Sequence, residues 1–160
     1  MSRVVVDSNV LGRATDEGKS PDTRQSWDLL QCIQQDGHRM VVCPELLREY
    51  QAIPDSLQGS MWLAQHLWSV GKFMNDPPNG AARQAVAALG VDAKDAAFVL
   101  LAAEAQAPFT TWEKFTGGLR AHQIRANRHQ EVCTAVKEQY HVEIWDPPHA
   151  WRRMGCHREE

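Results

Sequence analysis

Arg3-Val4-Val5-Val6-Asp7-Ser8-Asn9-Val10-Leu11 is the stretch that decides the fold. Three successive β-branched residues make a run that is apolar on both faces, the pattern of a strand buried from both sides. A strand of that kind belongs in a sheet covered by helices, and the following sequence supplies them. Ser20-Pro21-Asp22 carries a helix start: a hydroxyl cap, proline at the first helical position and an acid in the first turn. Trp27, Leu30 and Ile33 then recur at helical spacing, and Gly37 ends the helix. Residues 39–43 read as a second strand. Pro44-Glu45 opens a second helix that carries Leu46, Leu47, Glu49 and Tyr50 and stops before Pro54.

Further along, residues 57–73 carry Met61, Trp62, Leu63, Leu67, Trp68 and Val70, which suits one amphipathic helix. Asp76-Pro77-Pro78-Asn79-Gly80 is a break. A short Ala-rich helix over 81–89 closes at Gly90, and Ala93–Ala105 is apolar on most sides, as a buried helix is. Pro108-Phe109-Thr110-Thr111 reads as a short strand and Gly117-Gly118 as a loop. Helical pattern resumes from about Leu119, and residues 141–145 form a last strand. Pro147-Pro148 is read as closing the fold, with residues 151–160 as a mobile tail. Strands and helices alternate in one domain over 1–150, which predicts an α/β three-layer sandwich with a central, mainly parallel sheet flanked by helices.

The 160 residues support one core. No apolar run is long enough to cross a membrane, and the start of the chain lacks the apolar region of a signal peptide, so the expectation is a cytoplasmic protein with no membrane partner. None of the four cysteines forms a Cys-x-x-Cys pair, and Cys32, Cys43 and Cys133 lie among apolar neighbours; buried reduced thiols are expected. The formal net charge of -3 excludes nucleic-acid binding by bulk charge. Locally the balance reverses. Lys114, Arg120, Arg125 and Arg128, with His122 and His129, fall in a stretch without Asp or Glu. They form either a path for an RNA backbone or a solvated helix face. Trp112 beside them suits base stacking or core packing, and the Trp62 and Trp68 stripe suits core or a dimer surface.

Four acids stand at or near strand ends in separate segments: Asp7, Glu49, Asp95 and Glu113. In open α/β sheets ligands bind beyond the carboxyl ends of the strands. Carboxylates gathered there repel one another unless a hard divalent cation, which wants oxygen ligands, offsets the charge. Each acid alone has a plainer reading as a helix cap or surface charge, and the inference rests on the set. Asp92 is a further candidate acid, one turn before Asp95, read here as a cap near Gly90.

The set has a recognisable order. Val4-Val5-Val6-Asp7-Ser8-Asn9, then Pro44-Glu45-Leu46-Leu47-Arg48-Glu49-Tyr50, then Asp95-Ala96-Ala97-Phe98-Val99-Leu100-Leu101, then Phe109-Thr110-Thr111-Trp112-Glu113 resemble the four motifs of the PIN-domain family, over roughly residues 3–115. The resemblance implies a parallel sheet between helices and a metal-dependent endoribonuclease that uses Mg²⁺ or Mn²⁺ and leaves 5′-phosphate and 3′-hydroxyl ends. By position it makes Asp7, Glu49, Asp95 and Glu113 the metal-binding and catalytic acids. Ser8, Asn9 and Thr111 would be supporting groups, and Lys114, Arg120, Arg125 and Arg128 RNA contacts. The family resemblance implies single-stranded or structured RNA as substrate, and a homodimer is open because dimers are common for this fold; the size and single-domain build resemble toxins of toxin–antitoxin pairs, which would bring a small antitoxin as partner. The fourth acid of the family is most often Asp, and Glu113 departs from that. A catalytically weak scaffold that binds RNA or a protein is therefore the alternative. Phosphotransfer domains of the haloacid-dehalogenase type want an acid two residues after the nucleophile, where this chain has Asn9.

Overall fold

A computed structural model describes residues 2–16, 20–116, 120–123 and 126–156. Its core is an all-parallel sheet of five strands: β1 (Arg3–Val6), β2 (Arg39–Val42), β3 (Gly71–Phe73), β4 (Phe109–Thr110) and β5 (Ile144–Trp145), in the order β3-β2-β1-β4-β5. The chain works outward from β1 to β3, returns to the other side of β1 and works outward again to β5. The reversal between β1 and β4 opens a crevice at the carboxyl ends of those two strands. Val4, Val5, Val6, Met40, Val41 and Val42 are fully buried, as the apolar runs predict.

Helices cover both faces, giving the expected three-layer α/β sandwich. Around α2 (Pro21–Gln35) pack α1 (Ser8–Arg13), α4 (Gln58–Val70) and α8 (Pro147–Arg153), and α3 (Pro44–Gln51) packs on α1. A separate pair, α5 (Ala81–Ala87) and α6 (Ala93–Ala105), packs together, and α6 lies on β1, β2 and β4. Phe98, Val99, Leu101 and Ala102 of α6 are all fully buried, which is why the helix is apolar almost all round. Beyond β4 come a short 3₁₀ turn (Ala121–Gln123) and α7 (Arg128–Tyr140). Gly117-Gly118 and the helix start expected at Leu119 lie outside the described residues.

Three expectations are corrected. The helix predicted over residues 57–73 ends at Val70, and Gly71–Phe73 pairs with β2 as an edge strand. Gly71 permits this turn-out: a Cβ there would sit 2.6 Å from the Leu67 carbonyl oxygen. Pro147-Pro148 does not close the fold. It starts α8, because Asp146 accepts the His149 N–H at 2.9 Å and proline fits the first turn. Ala150, Met154 and Cys156 are buried, so the segment read as a tail is packed as far as Cys156. Finally, Cys32 and Cys156 form a disulfide across 124 residues of sequence. Cys43 and Cys133 remain free thiols, and burial pushes each up to about 11. Trp62 is core, whereas Trp68 is 84% exposed beside Phe73. Among the described residues no helix is long and apolar enough to cross a membrane.

Candidate functional site

The first acid is placed by β1. Asp7 ends the strand, with its N–H bonded to the Thr110 carbonyl of β4 at 3.0 Å, and its side chain is buried. Thr111 organises what surrounds it. Its hydroxyl donates to Asp7 Oδ2 at 2.7 Å and accepts from Asn9 Nδ2 at 3.2 Å and from the Glu113 N–H at 2.9 Å. Asn9 spans the crevice, since its Oδ1 accepts the Trp112 N–H at 3.2 Å. Ser8 Oγ lies 3.4 Å from both Asp7 Oδ1 and Glu49 Oε2, which links β1 to α3. Tyr50, one residue past Glu49 and fully buried, donates to the Val6 carbonyl and fixes α3 against the end of β1. Ser8, Asn9 and Thr111 thus all contact the Asp7 carboxylate, and Ser8 contacts Glu49 as well.

The remaining acids come from the second half of the chain. Asp95, in the first turn of α6, is only 1% exposed, and its Oδ2 is buried without a hydrogen-bond partner. One carboxylate oxygen from each of Asp92, Asp95 and Glu113 lies within 4.8 Å of the others. Asp92 is the residue underrated in the sequence: it precedes α6 as a cap should, yet its side chain makes no cap hydrogen bond and belongs to the acid cluster. Asp7 and Glu49 are outside that close group; Asp7 acts on it, and on Glu49, through charge. Burial first, and then the charges of Asp7, Glu113 and Asp92, push Asp95 from the ordinary 3.8 up to about 8. Glu113 is raised first by a hydrogen bond with Asp92 and then by burial. Glu49 is raised by burial and then by Asp7.

Lys94 is the group sequence reading missed. It is exposed, and its charge opposes the acids at Glu49, Asp95 and Glu113. Its own ammonium is held above the usual range, chiefly by Asp95. The available signal was a cation inside Asp92-Ala93-Lys94-Asp95, at a helix N-terminus where basic residues are disfavoured.

The donor set fits a hard divalent cation. It offers only oxygen, one of its buried oxygens has no protein partner, and three of its carboxyls are pushed toward the protonated form by burial and by their acidic neighbours. A helix N-terminus favours the anion at Asp95, and burial with the neighbouring acids opposes it.

A cleft of about 970 Å³ adjoins the site at Thr111 and is lined by Lys114, His129, Cys133, Lys137, Trp145 and His149, among others. Of the cations expected to meet RNA, Lys114 is on this wall. Arg120 is exposed away from it, Arg128 is paired with Glu131 at 3.5 Å, and Arg125 lies outside the described residues. Trp112 is half-buried, and its Nε1 donates to Ser26 at 2.7 Å, which ties it to α2. No protein-family model and no curated protein matches the chain in sequence.

Proposed function

We propose that the chain is a metal-dependent endoribonuclease of the PIN class. The observation that carries this reading is the convergence of five acids from both halves of the chain on the β1–β4 crevice, with a buried Asp95 oxygen that no protein group satisfies. Asp95, Asp92 and Glu113 would hold Mg²⁺ or Mn²⁺, with Asp7 and Glu49 beside them. When bound, such an ion supplies water activation and charge neutralisation at phosphorus. The chain's own groups do the rest. Thr111 and Asn9 hold Asp7 in one orientation. Glu49, whose carboxyl is raised by burial and then by Asp7, is the acid placed to accept a proton. Lys94 offers an ammonium to an incoming phosphate, and the cleft wall at Lys114 continues the path for a single strand.

A cytoplasmic setting and a toxin role, silenced by a small antitoxin segment laid across the crevice, belong to the same reading. One observation favours the alternative of a weak scaffold: Glu113 is engaged with Asp92, which ties up the fourth acid. The test compares wild type with Asp7→Asn on a mixed single-stranded and structured RNA pool, with EDTA, Mg²⁺ or Mn²⁺. Cleavage by wild type alone, and only with metal, is expected. If neither protein cuts under any metal, the scaffold reading replaces this one; equal cutting by both removes Asp7 from the chemistry.

A further inference from the structure

A second group of metal-ligating side chains lies at the opposite end of the sheet, where the strands begin. Cys32 sits in the last turn of α2, Asp36 caps that helix, His38 precedes β2, and Cys156 follows α8. One donor atom from each lies within 4.8 Å of the others. A tetrahedral zinc centre, with Zn–S near 2.3 Å and Zn–N near 2.0 Å, sets its donor atoms about 3.3 to 3.8 Å apart, so small side-chain movements suffice.

Two observations point to a ligand beyond the disulfide. His38 is 6% exposed, its Nδ1 accepts the Ser2 N–H at 3.0 Å, and its Nε2 is buried without a hydrogen-bond partner, although the Met154 carbonyl lies near the ring. Asp36 Oδ2 lies 3.5 Å from Cys32 Sγ. The carboxylate therefore already faces the sulfur at contact distance. One cation shared by the four side chains would take up the His38 nitrogen and both of these groups together.

We propose that Cys32, Asp36, His38 and Cys156 form a zinc site when the disulfide is reduced. The donors are two thiolates, an imidazole and a carboxylate, a set that suits zinc and not the hard ions of the acid crevice. The reductant is a dithiol. It delivers two electrons and two protons to the Cys32–Cys156 bond and becomes a cyclic disulfide; the two cysteine thiols then each release a proton on binding Zn²⁺. Metal at Nε2 moves the ring proton to Nδ1, and the Ser2 amide gives up its bond there. In either state the end of α8 stays clipped to α2, by sulfur–sulfur bonding when oxidised and by zinc when reduced.

The test uses the full chain without an affinity tag, reduced with a dithiol, desalted under argon and titrated with Co²⁺ and then Zn²⁺. Expected are a thiolate-to-cobalt charge-transfer band and tetrahedral visible bands that saturate together at one equivalent of thiolate-bound cobalt per chain, and loss of both on adding zinc. Oxidised wild type should lack the band, and Cys133→Ser should keep it. His38→Gln should weaken binding at least about tenfold. The thiolate band separates this site from the carboxylate crevice, and circular dichroism checks that each variant is folded. The proposal is overturned by reduced wild type that shows no thiolate band. It is equally overturned by a band that persists in the Cys32→Ser/Cys156→Ser variant, or by reduced wild type that unfolds and does not refold with zinc.

Discussion

Asp95→Asn should gain stability relative to the wild type as pH rises, in the metal-free protein. Asp95 binds its proton more tightly in the folded chain, at about 8, than in the unfolded chain at about 3.8. Between those values the native state holds a proton that the unfolded state has released, so stability falls as pH rises through this window and levels off near pH 8. Each pH unit is about 1.4 kcal/mol. From pH 4 to pH 7 the wild type therefore gives up roughly 4 kcal/mol that Asp95→Asn keeps. That figure is a ceiling, because Glu113 and Glu49 are raised by the same neighbourhood and relax when one charge leaves. The substitution also brings a buried amide to a position where the Asp95 Oδ2 has no partner, which subtracts about 1 to 3 kcal/mol at every pH. The assay is urea denaturation of both proteins in EDTA at half-unit steps from pH 4.5 to 8.5. The quantity read is the difference between them, and it should climb toward high pH by about 2 kcal/mol or more. Adding Mn²⁺ at pH 8 should raise the wild type and leave the variant nearly unmoved. A difference that stays flat across the range would falsify the account of the acid cluster.

Other outcomes follow from single contacts. Gly59→Ala drives a Cβ into the Leu11 carbonyl oxygen, where α4 meets α1; it should cost about 3 kcal/mol in urea denaturation, and a loss under about 0.5 kcal/mol would mean the two helices have room to part. Thr111→Val removes the hydroxyl shared by Asp7, Asn9 and the Glu113 amide; Mn²⁺ affinity by calorimetry should fall about 10- to 100-fold, with Thr111→Ser restoring most of it, and unchanged affinity in the valine variant would place Thr111 outside the site. Cys156→Ser opens a bridge across 124 residues; without reductant or zinc it should lower stability by about 2 to 5 kcal/mol, and a loss under about 1 kcal/mol would show that α8 holds by packing alone.

Much of the crevice was legible because its acids stand beside strong local signals. Asp7 ends a β-branched run, Asp95 opens an apolar helix, and Glu113 follows a Thr-Thr strand end. Asp92 was harder, since a carboxylate before a helix looks the same whether it caps the helix or reaches across to Glu113; only the missing cap bond tells them apart. The third strand was hidden by length. Gly71-Lys72-Phe73 is three residues with no alternation to read, appended to a helix whose apolar spacing runs into it. The last helix carries a legible start, since Asp146-Pro147 is the same cap-and-proline pair as Ser20-Pro21, but the second proline at 148 gives the segment the local pattern of a stop. The disulfide had no local sign at all. Its partners are 124 positions apart, and only the docking of α8 on α2 brings them together.

The strand order also sets when a complete site first exists. Asp7 and Glu49 belong to the half of the sheet that is synthesised first, and Asp92, Asp95 and Glu113 to the half that returns to the other side of β1. A nascent chain that has only reached Gly80 therefore carries two of the five acids and no crevice, since one wall of it is β4. Most of the mutual repulsion of the carboxylates is likewise deferred, because only Asp7 and Glu49 oppose each other before α6 and β4 dock. During translation the chain can build β1, β2 and β3 against the Asp7–Glu49 repulsion alone, and the full set of carboxylates meets only after Glu113 has left the ribosome.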